Sequence, residues 1–192
     1  MKSTKIKTFG IQGGKGSFNE QALLTYSKNH NIQEYKTEYL YTTERVFQEL
    51  VDKKIDFGQF ALHNSTGGLV QESLQAMSKY TFDIVEEFSI IIEHCLMKPK
   101  NVDMRHIDTL MSHPQVFKQC KKTLDRGFSE YKRISGAGDL IDHARVAEDM
   151  SKGQIKENIA VLGPEILASI YDLDIVYKGL QDLDNNFTTF LM

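Results

Sequence analysis

The sequence predicts an α/β fold: two small lobes with mostly parallel sheets and a cleft between them. Three observations lead there. Apolar strand-like runs alternate with helical patterns along the chain. Polar turns follow the carboxyl ends of four of the expected strands. A long apolar stretch, Phe82 to Met97, has no helical period and suits one or two strands crossing between lobes. At 192 residues the chain is long enough for one large domain or two small lobes with a real core.

The elements follow in order. Lys5 to Gln12 reads as a strand entering a glycine-rich turn, Gly13-Gly14-Lys15-Gly16. Asn19 to Asn29 carries Ala22, Leu23 and Tyr26 at helical spacing. Tyr35 to Tyr41 alternates as a strand. Thr42-Thr43-Glu44-Arg45 opens a helix in capping style, with Val46, Phe47 and Leu50 as its buried stripe. Phe57 to Leu62 is a short strand running into His63-Asn64-Ser65-Thr66-Gly67-Gly68, and a helix from Leu69 to Tyr80 follows. This βαβαβα pattern implies a parallel sheet with right-handed crossovers. Beyond the long apolar stretch, Ile107 to Met111 is a strand ending at Ser112-His113-Pro114-Gln115, where proline opens a helix through Leu124. Arg133-Ile134-Ser135 ends in Gly136-Ala137-Gly138, and a helix runs from Asp139 to Met150. Asn158 to Gly163 is a strand, Pro164 opens a helix to Tyr171, and Ile175 to Leu180 would return the chain to the first lobe. The expected division is 1–81 plus 181–192 for the first lobe and 82–180, with the crossing strands, for the second. There is no internal repeat, low-complexity segment or Pro/Ser-rich linker.

Composition narrows the function classes. Apolar residues at 41% and charged residues at 26% are ordinary for soluble globular chains. A net charge of -3 gives no long-range attraction for nucleic acid or anionic membrane. The two cysteines, Cys95 and Cys120, are too few for a disulfide framework and fit a reducing compartment. The basic start has no apolar stretch behind it, and no run reaches the length of a membrane span. A cytoplasmic address is expected.

Four turns follow strand ends and open helices: Gly13 to Phe18, His63 to Gly68, Ser112 to Gln115, and Ser135 to Gly138. Ligands of open parallel sheets gather at such ends, where free N–H groups favour anions. The closing segment, Asn185 to Met192, reads as a strand with Asn186, Thr188 and Phe190 on one face and Phe187, Thr189 and Leu191 on the other. Its amides and hydroxyls suit a cleft holding a polar ligand better than a core. Other chemistries fit poorly. The glycine turn lacks the Gly-Lys-Ser/Thr order of a phosphate loop. Ser112 and His113 are adjacent, so their side chains point apart, and no Gly-x-Ser-x-Gly elbow exists. The histidines show no metal-ligand spacing with the cysteines, so no metal site is expected. Lys118, Lys121 and Lys122 read as a solvated helix face.

The ordered set Gly13-x-x-Gly16-Ser17-Phe18-x-Glu20-Gln21-Ala22, Asn64-Ser65-Thr66-x-Gly68-x-Val70, Ser112-His113-Pro114-Gln115 with Gln119-Cys120, and Asn186-x-Thr188-x-Phe190 resembles the prephenate dehydratases. The likeness is collinear over nearly the whole chain. It implies a fold like type II periplasmic binding proteins, with the site between the lobes. It implies a lyase converting prephenate to phenylpyruvate, with loss of carbon dioxide and water, in phenylalanine biosynthesis. No metal or organic cofactor is implied, and a homodimer is. Residue by residue, it gives Thr188 as the acid or hydrogen-bond donor. Substrate contacts fall to His63, Asn64, Ser65 and Thr66 at the first rim, and Ser112, His113 and Gln115 at the second. Ser17 and Phe18 at the glycine turn, and Thr189 and Phe190 beside Thr188, complete the set.

This chain departs from the family pattern at several positions. Thr-Arg-Phe reads Thr188-Thr189-Phe190, Pro-Ile-Glu-Asn-Ser reads Ala61-Leu62-His63-Asn64-Ser65, and the acidic position of Thr-Glu-Gly is Gly67. Gly-Pro-Glu-Gly reads Gly13-Gly14-Lys15-Gly16, so Lys15 and a protonated His63 are the compensating cations on offer. The regulatory ACT domain that often follows is expected to be absent. Three readings remain open: a divergent prephenate dehydratase; a relative with altered outcome, acting as prephenate decarboxylase or arogenate dehydratase; and a non-catalytic binding protein.

Overall fold

The computed structural model describes residues 6–192, and two mixed sheets flanked by helices organise it. Lys5, the expected start of the first strand, and the basic segment before it lie outside the described residues. The first sheet begins with β1 (Lys7–Ile11), β2 (Tyr35–Tyr39) and β3 (Phe57–Asn64), connected through α1 (Phe18–Asn29) and α2 (Thr43–Val51). These three strands pair in parallel, as the alternating pattern requires. A short strand, β4 (Gly68–Leu69), folds back on β3 as a hairpin before α3 (Gln71–Met77). The long apolar stretch divides into β5 (Glu87–Ile91) in the first sheet and β6 (Cys95–Pro99) in the second, with residues 92–94 crossing between lobes.

The second sheet is completed by β7 (Thr109–Met111), β8 (Lys132–Ile134), β9 (Ile159–Gly163) and β10 (Leu173–Lys178), in the order β10-β6-β9-β7-β8. Its helices are α4 (Pro114–Gln119), α5 (Lys121–Gly127), α6 (His143–Ser151) and α7 (Ile166–Tyr171). The last strand, β11 (Phe187–Leu191), re-enters the first sheet between β3 and β5, antiparallel to both. The sheets are therefore mixed rather than mostly parallel, because each receives strands delivered by the interlobe crossings.

Four expectations change. The segment 175–180 does not return to the first lobe; β10 pairs antiparallel with β6 at the edge of the second sheet, and residues 179–186 make the crossing. Conversely β5 lies in the first sheet, although the expected second lobe begins at residue 82. The helix expected through Leu124 breaks at Cys120, where the Asp182 carboxylate caps the N–H groups of Lys122 and Thr123 at 2.9 Å each. The helix expected from Asp139 likewise splits, because Asp142 adopts an extended conformation and caps α6 after a single 3-10 turn at Gly138–Ile141.

Each lobe has its own apolar filling. In the first, Leu23 of α1 clusters with Phe9 and Ile11 of β1, and Val46 and Phe47 of α2 cluster with Phe60 of β3. In the second, Leu96, Leu110, Leu124 and Leu162 are fully buried, as is Cys120. Phe18, Ile90, Ile92 and Phe190 form a smaller cluster beside the crossing. Both cysteines are buried free thiols, and burial raises the pKa of each.

Candidate active site between the lobes

The ends of β1, β3, β7 and β11, the crossing segment and the start of α6 enclose a cavity of about 80 Å³. At roughly 10–15 Å³ for each water position, that is space for about five to eight waters. Phe18, Val70, Ile92, Val116 and Phe190 form its apolar wall.

Its polar floor is one connected network. Asn64, at the end of β3, accepts the Thr66 and Gly67 N–H groups at 2.9 and 2.7 Å, which shapes the turn. The two N–H groups of its amide are shared among Asn186 Oδ1 (2.7 Å), the Phe187 carbonyl (2.9 Å) and Thr188 Oγ1 (3.0 Å). Asn186 Nδ2 donates to Gln119 Oε1 at 2.8 Å, and that oxygen also meets His94 Nε2 at 2.7 Å. The network therefore joins β3, β11, the crossing segment and α4. Because Thr188 Oγ1 accepts from Asn64, its own proton is free to point into the cavity. In His94 the bond to Gln119 places the proton on Nε2.

The second lobe contributes His113 as the N-cap of α4, with Nδ1 accepting the Gln115 N–H at 3.1 Å. Gln115 Nε2 reaches across to the Gly68 and Leu69 carbonyls at 3.1 and 2.8 Å, tying the lobes together. Asp142 makes a second tie, its Oδ2 accepting the Gly14 N–H at 2.6 Å. Tyr171 makes a third, from its hydroxyl to the Lys15 carbonyl. Phe18 packs edge-on between the rings of His94 and His143.

Burial sets the charge states. It depresses His94, His113 and His143 to about 4, so all three rings are neutral near pH 7. It raises Asp142 to about 6, against the pull of the Gly14, Ala144 and Arg145 N–H groups and of His113. Glu72, which accepts from Gln12 and from the Thr43 N–H at 2.6 Å, is also raised, again chiefly by burial. Among the described residues no Lys or Arg lines the cavity.

Of the residues expected from sequence, Phe18, Asn64, His113, Gln115, Thr188 and Phe190 line the cavity. The others are not brought to it. Ser17 caps α1, and Ser112 is buried with its hydroxyl on the Leu162 carbonyl. Ser65 is exposed and holds Asn185 and Phe187. Thr66 contributes its backbone to the Asn64 turn, while its hydroxyl is buried without a partner. Lys15 is exposed. Thr189 and His63 lie directly opposite each other on β11 and β3, on the face away from the cavity, where Thr189 bonds Ser89 at 2.9 Å. Two of the positions that depart from the family pattern are thus cross-strand neighbours in this chain.

Sequence reasoning did not single out Gln12, Glu72, His94, Asp142 or His143 as site residues. Asp142 and His143 fall inside an apparently continuous helical pattern, and His94 inside an apolar run. The spacing of each element carries no sign of which cleft its end will face. Gln119 stands in the motif set, but its role as a junction of the network is tertiary. No group of three or more His, Cys, Asp or Glu suited to a metal occurs among the described residues.

The fold is that of a two-lobed α/β protein of periplasmic-binding type, with a cavity at the lobe interface. The family model for prephenate dehydratase matches residues 9–192, and the chain belongs to that family. A bifunctional chorismate mutase/prephenate dehydratase of Buchnera aphidicola (subsp. Acyrthosiphon pisum) is 30% identical over 96% of this chain and 46% of that protein. The chloroplastic arogenate dehydratase/prephenate dehydratase 2 of Arabidopsis thaliana is 27% identical over 94% and 44%. The chain thus spans about half the length of the curated relatives it matches. A prephenate dehydratase from Arthrobacter aurescens, solved in complex with L-Phe, shares the fold at TM-score 0.78 and 18% identity, covering 96% of this chain and 59% of that one. A lipoprotein from Bacillus subtilis has a similar fold at TM-score 0.52 and 10% identity, covering 97% of this chain and 83% of that one.

Proposed function

We propose that the chain is a prephenate dehydratase-like lyase that converts prephenate to phenylpyruvate in phenylalanine biosynthesis. The observation that carries this reading is the Thr188 hydroxyl, buried on the cavity floor and held by Asn64 with its proton unused. Loss of the ring carboxylate as carbon dioxide sends its electron pair into the ring and expels the hydroxyl group, and aromatisation drives the step. A threonine hydroxyl is a weak acid, so Thr188 assists the departing hydroxyl by hydrogen bonding rather than by full protonation. Neutral His113 and His143 offer N–H donors without charge, and the apolar wall suits the flat aromatic product. Cofactor-free chemistry, a homodimer and a cytoplasmic setting belong to the same reading.

Purified protein incubated with prephenate at neutral pH, with substrate loss and phenylpyruvate followed together, tests it. Phenylpyruvate above the uncatalysed background is expected; a non-aromatic keto acid instead would establish a decarboxylase. Thr188→Ala is expected to lower kcat/KM by about 10²-fold or more, the usual scale for a positioned proton donor. An unchanged rate removes Thr188 from the mechanism.

A second reading has its own observation. Two carboxyl groups, Glu72 and Asp142, and no Lys or Arg among the described residues, line the cavity. Such a lining suits an acid with an ammonium group better than a dianion. Arogenate is that kind of substrate, and phenylalanine formation from it in the same assay is the corresponding measurement.

A further inference from the structure

His143 opens α6 directly after its Asp142 cap, and its ring is buried in the wall of the interlobe cavity. Neither ring nitrogen is hydrogen-bonded. A neutral imidazole carries one donor and one acceptor, and leaving both unmet in a buried place is costly. The place is nevertheless shaped for the ring. Phe18 packs against it with centroids 5.4 Å apart, and β9 ends beside it in a glycine, where a Cβ would stand 3.0 Å from His143 Cδ2. The other two histidines of the cavity are committed. His113 accepts the Gln115 N–H through Nδ1, so a proton there would break the cap of α4. His94 meets Gln119 through Nε2, and the neighbouring His143 opposes a second proton on it. His143 differs from both. Asp142 Oδ1 lies 3.8 Å from its Nδ1, too far for a hydrogen bond but close enough to steady a cation.

We propose that His143 is a substrate-binding residue that takes up a proton as a dicarboxylate enters the cavity, so that an imidazolium backed by Asp142 supplies the positive charge the lining otherwise lacks. The proposal rests on the dehydratase-type reading and gives the means by which this cavity admits two carboxylates. Among the described residues no Lys or Arg lines it, and Asp142 and Glu72 do. Before a ligand binds, burial holds the His143 ring neutral at pH 7. His113 from α4 and His94 from the crossing segment face it as neutral rings, with Lys118 acting on His113 from further along α4. Tyr171 from α7 interacts with Asp142, and Tyr41 and Glu72 reach the cavity from the first lobe. From α1 and β9 only Phe18 and Gly163 meet the ring, and neither titrates. A dianion placed among these groups favours the charged form of the imidazole.

Calorimetry of the full chain with benzylsuccinate, a non-reacting aromatic dicarboxylate, counts the proton. Titrations at pH 7.5 in MOPS and in Tris, whose ionisation enthalpies differ, give the uptake per ligand bound. Wild type is expected to take up at least about half a proton, and its affinity to fall by up to about tenfold per pH unit above pH 7. His143→Gln and His143→Phe, the second keeping a ring against Phe18, are expected to take up none. Both are expected to bind at least about tenfold more weakly, the scale of one charged hydrogen bond. Absence of uptake in wild type, or of binding, overturns the proposal. Uptake that persists in a folded variant places the proton on Asp142 or Glu72 and overturns it equally. Melting curves identify a variant that has lost its fold, and the other then decides. Prephenate turnover by wild type is measured separately. Turnover without proton-linked binding removes the role of His143 and leaves the dehydratase reading standing. Proton-linked binding through His143 without turnover keeps the role and removes that reading.

Discussion

Asn64 uses both ends of its amide at once. The oxygen shapes the turn after β3, and the nitrogen holds the first residues of β11. Its side chain is almost completely buried, so truncation strands several partners with no access to water. Asn64→Ala is therefore expected to destabilise the protein by about 3 kcal/mol, at the upper end for buried polar losses. Thr188→Ala removes one acceptor and is expected to cost only about 1 kcal/mol. Urea unfolding of the two variants gives the comparison; equal midpoints would show that the network is not what holds β11. The ordering matters for function, since it lets Thr188 be tested by activity in a folded protein while Asn64 cannot be.

At the level of elements, the register between β3 and β11 changes the meaning of the missing motif arginine. Position 189 faces Ser89 and His63, not the cavity, because neighbouring strand residues point to opposite faces. Thr189→Arg alone is expected to leave turnover unchanged. His63→Glu with Thr189→Arg is expected to show a favourable coupling of about 0.5–1 kcal/mol in a double-mutant cycle, as for a half-exposed cross-strand pair. A large rise in activity from Thr189→Arg would return that position to the substrate. The break at Cys120 is also testable. Asp182→Ala leaves the Lys122 and Thr123 N–H groups uncapped and is expected to cost about 1 kcal/mol, read as a lowered melting temperature.

Across the whole molecule, the interlobe cavity couples stability to pH. His94, His113 and His143 have ordinary values near 6.5 when unfolded and about 4 when folded. Between those limits the unfolded chain binds more protons, so stability is full above pH 6.5 and is lost as pH falls towards 4. Each ring is worth on the order of 3 kcal/mol over that window. Asp142 works in the opposite sense: raised from 3.8 to about 6, it returns stability as pH falls through the same range and offsets roughly one histidine. Glu72 is raised as well and acts in the same direction as Asp142. The histidines outnumber these, so the melting temperature is expected to drop between pH 7 and pH 4.5, and His143→Gln is expected to make the profile shallower. A flat profile in wild type would mean that the rings are solvated, and hence that the lobes open readily.

Much of this molecule was legible in its residues. Strand and helix alternation, the capping of α2 by Thr42 and the polar last strand are local patterns, set by side-chain period and backbone chemistry within a few residues. Asn64, His113, Gln115 and Thr188 were picked out in the sequence, and the fold brings the four to one cavity. The sequence by itself thus determined the α/β class and the two lobes. The tertiary structure alone decided the mixed order of the sheets, the return path of the chain and the charge of the cavity. Asp142, Glu72 and the three histidines reach one another from distant elements. Their ionisation depends on burial and on contacts across the cleft, which no spacing along the chain encodes.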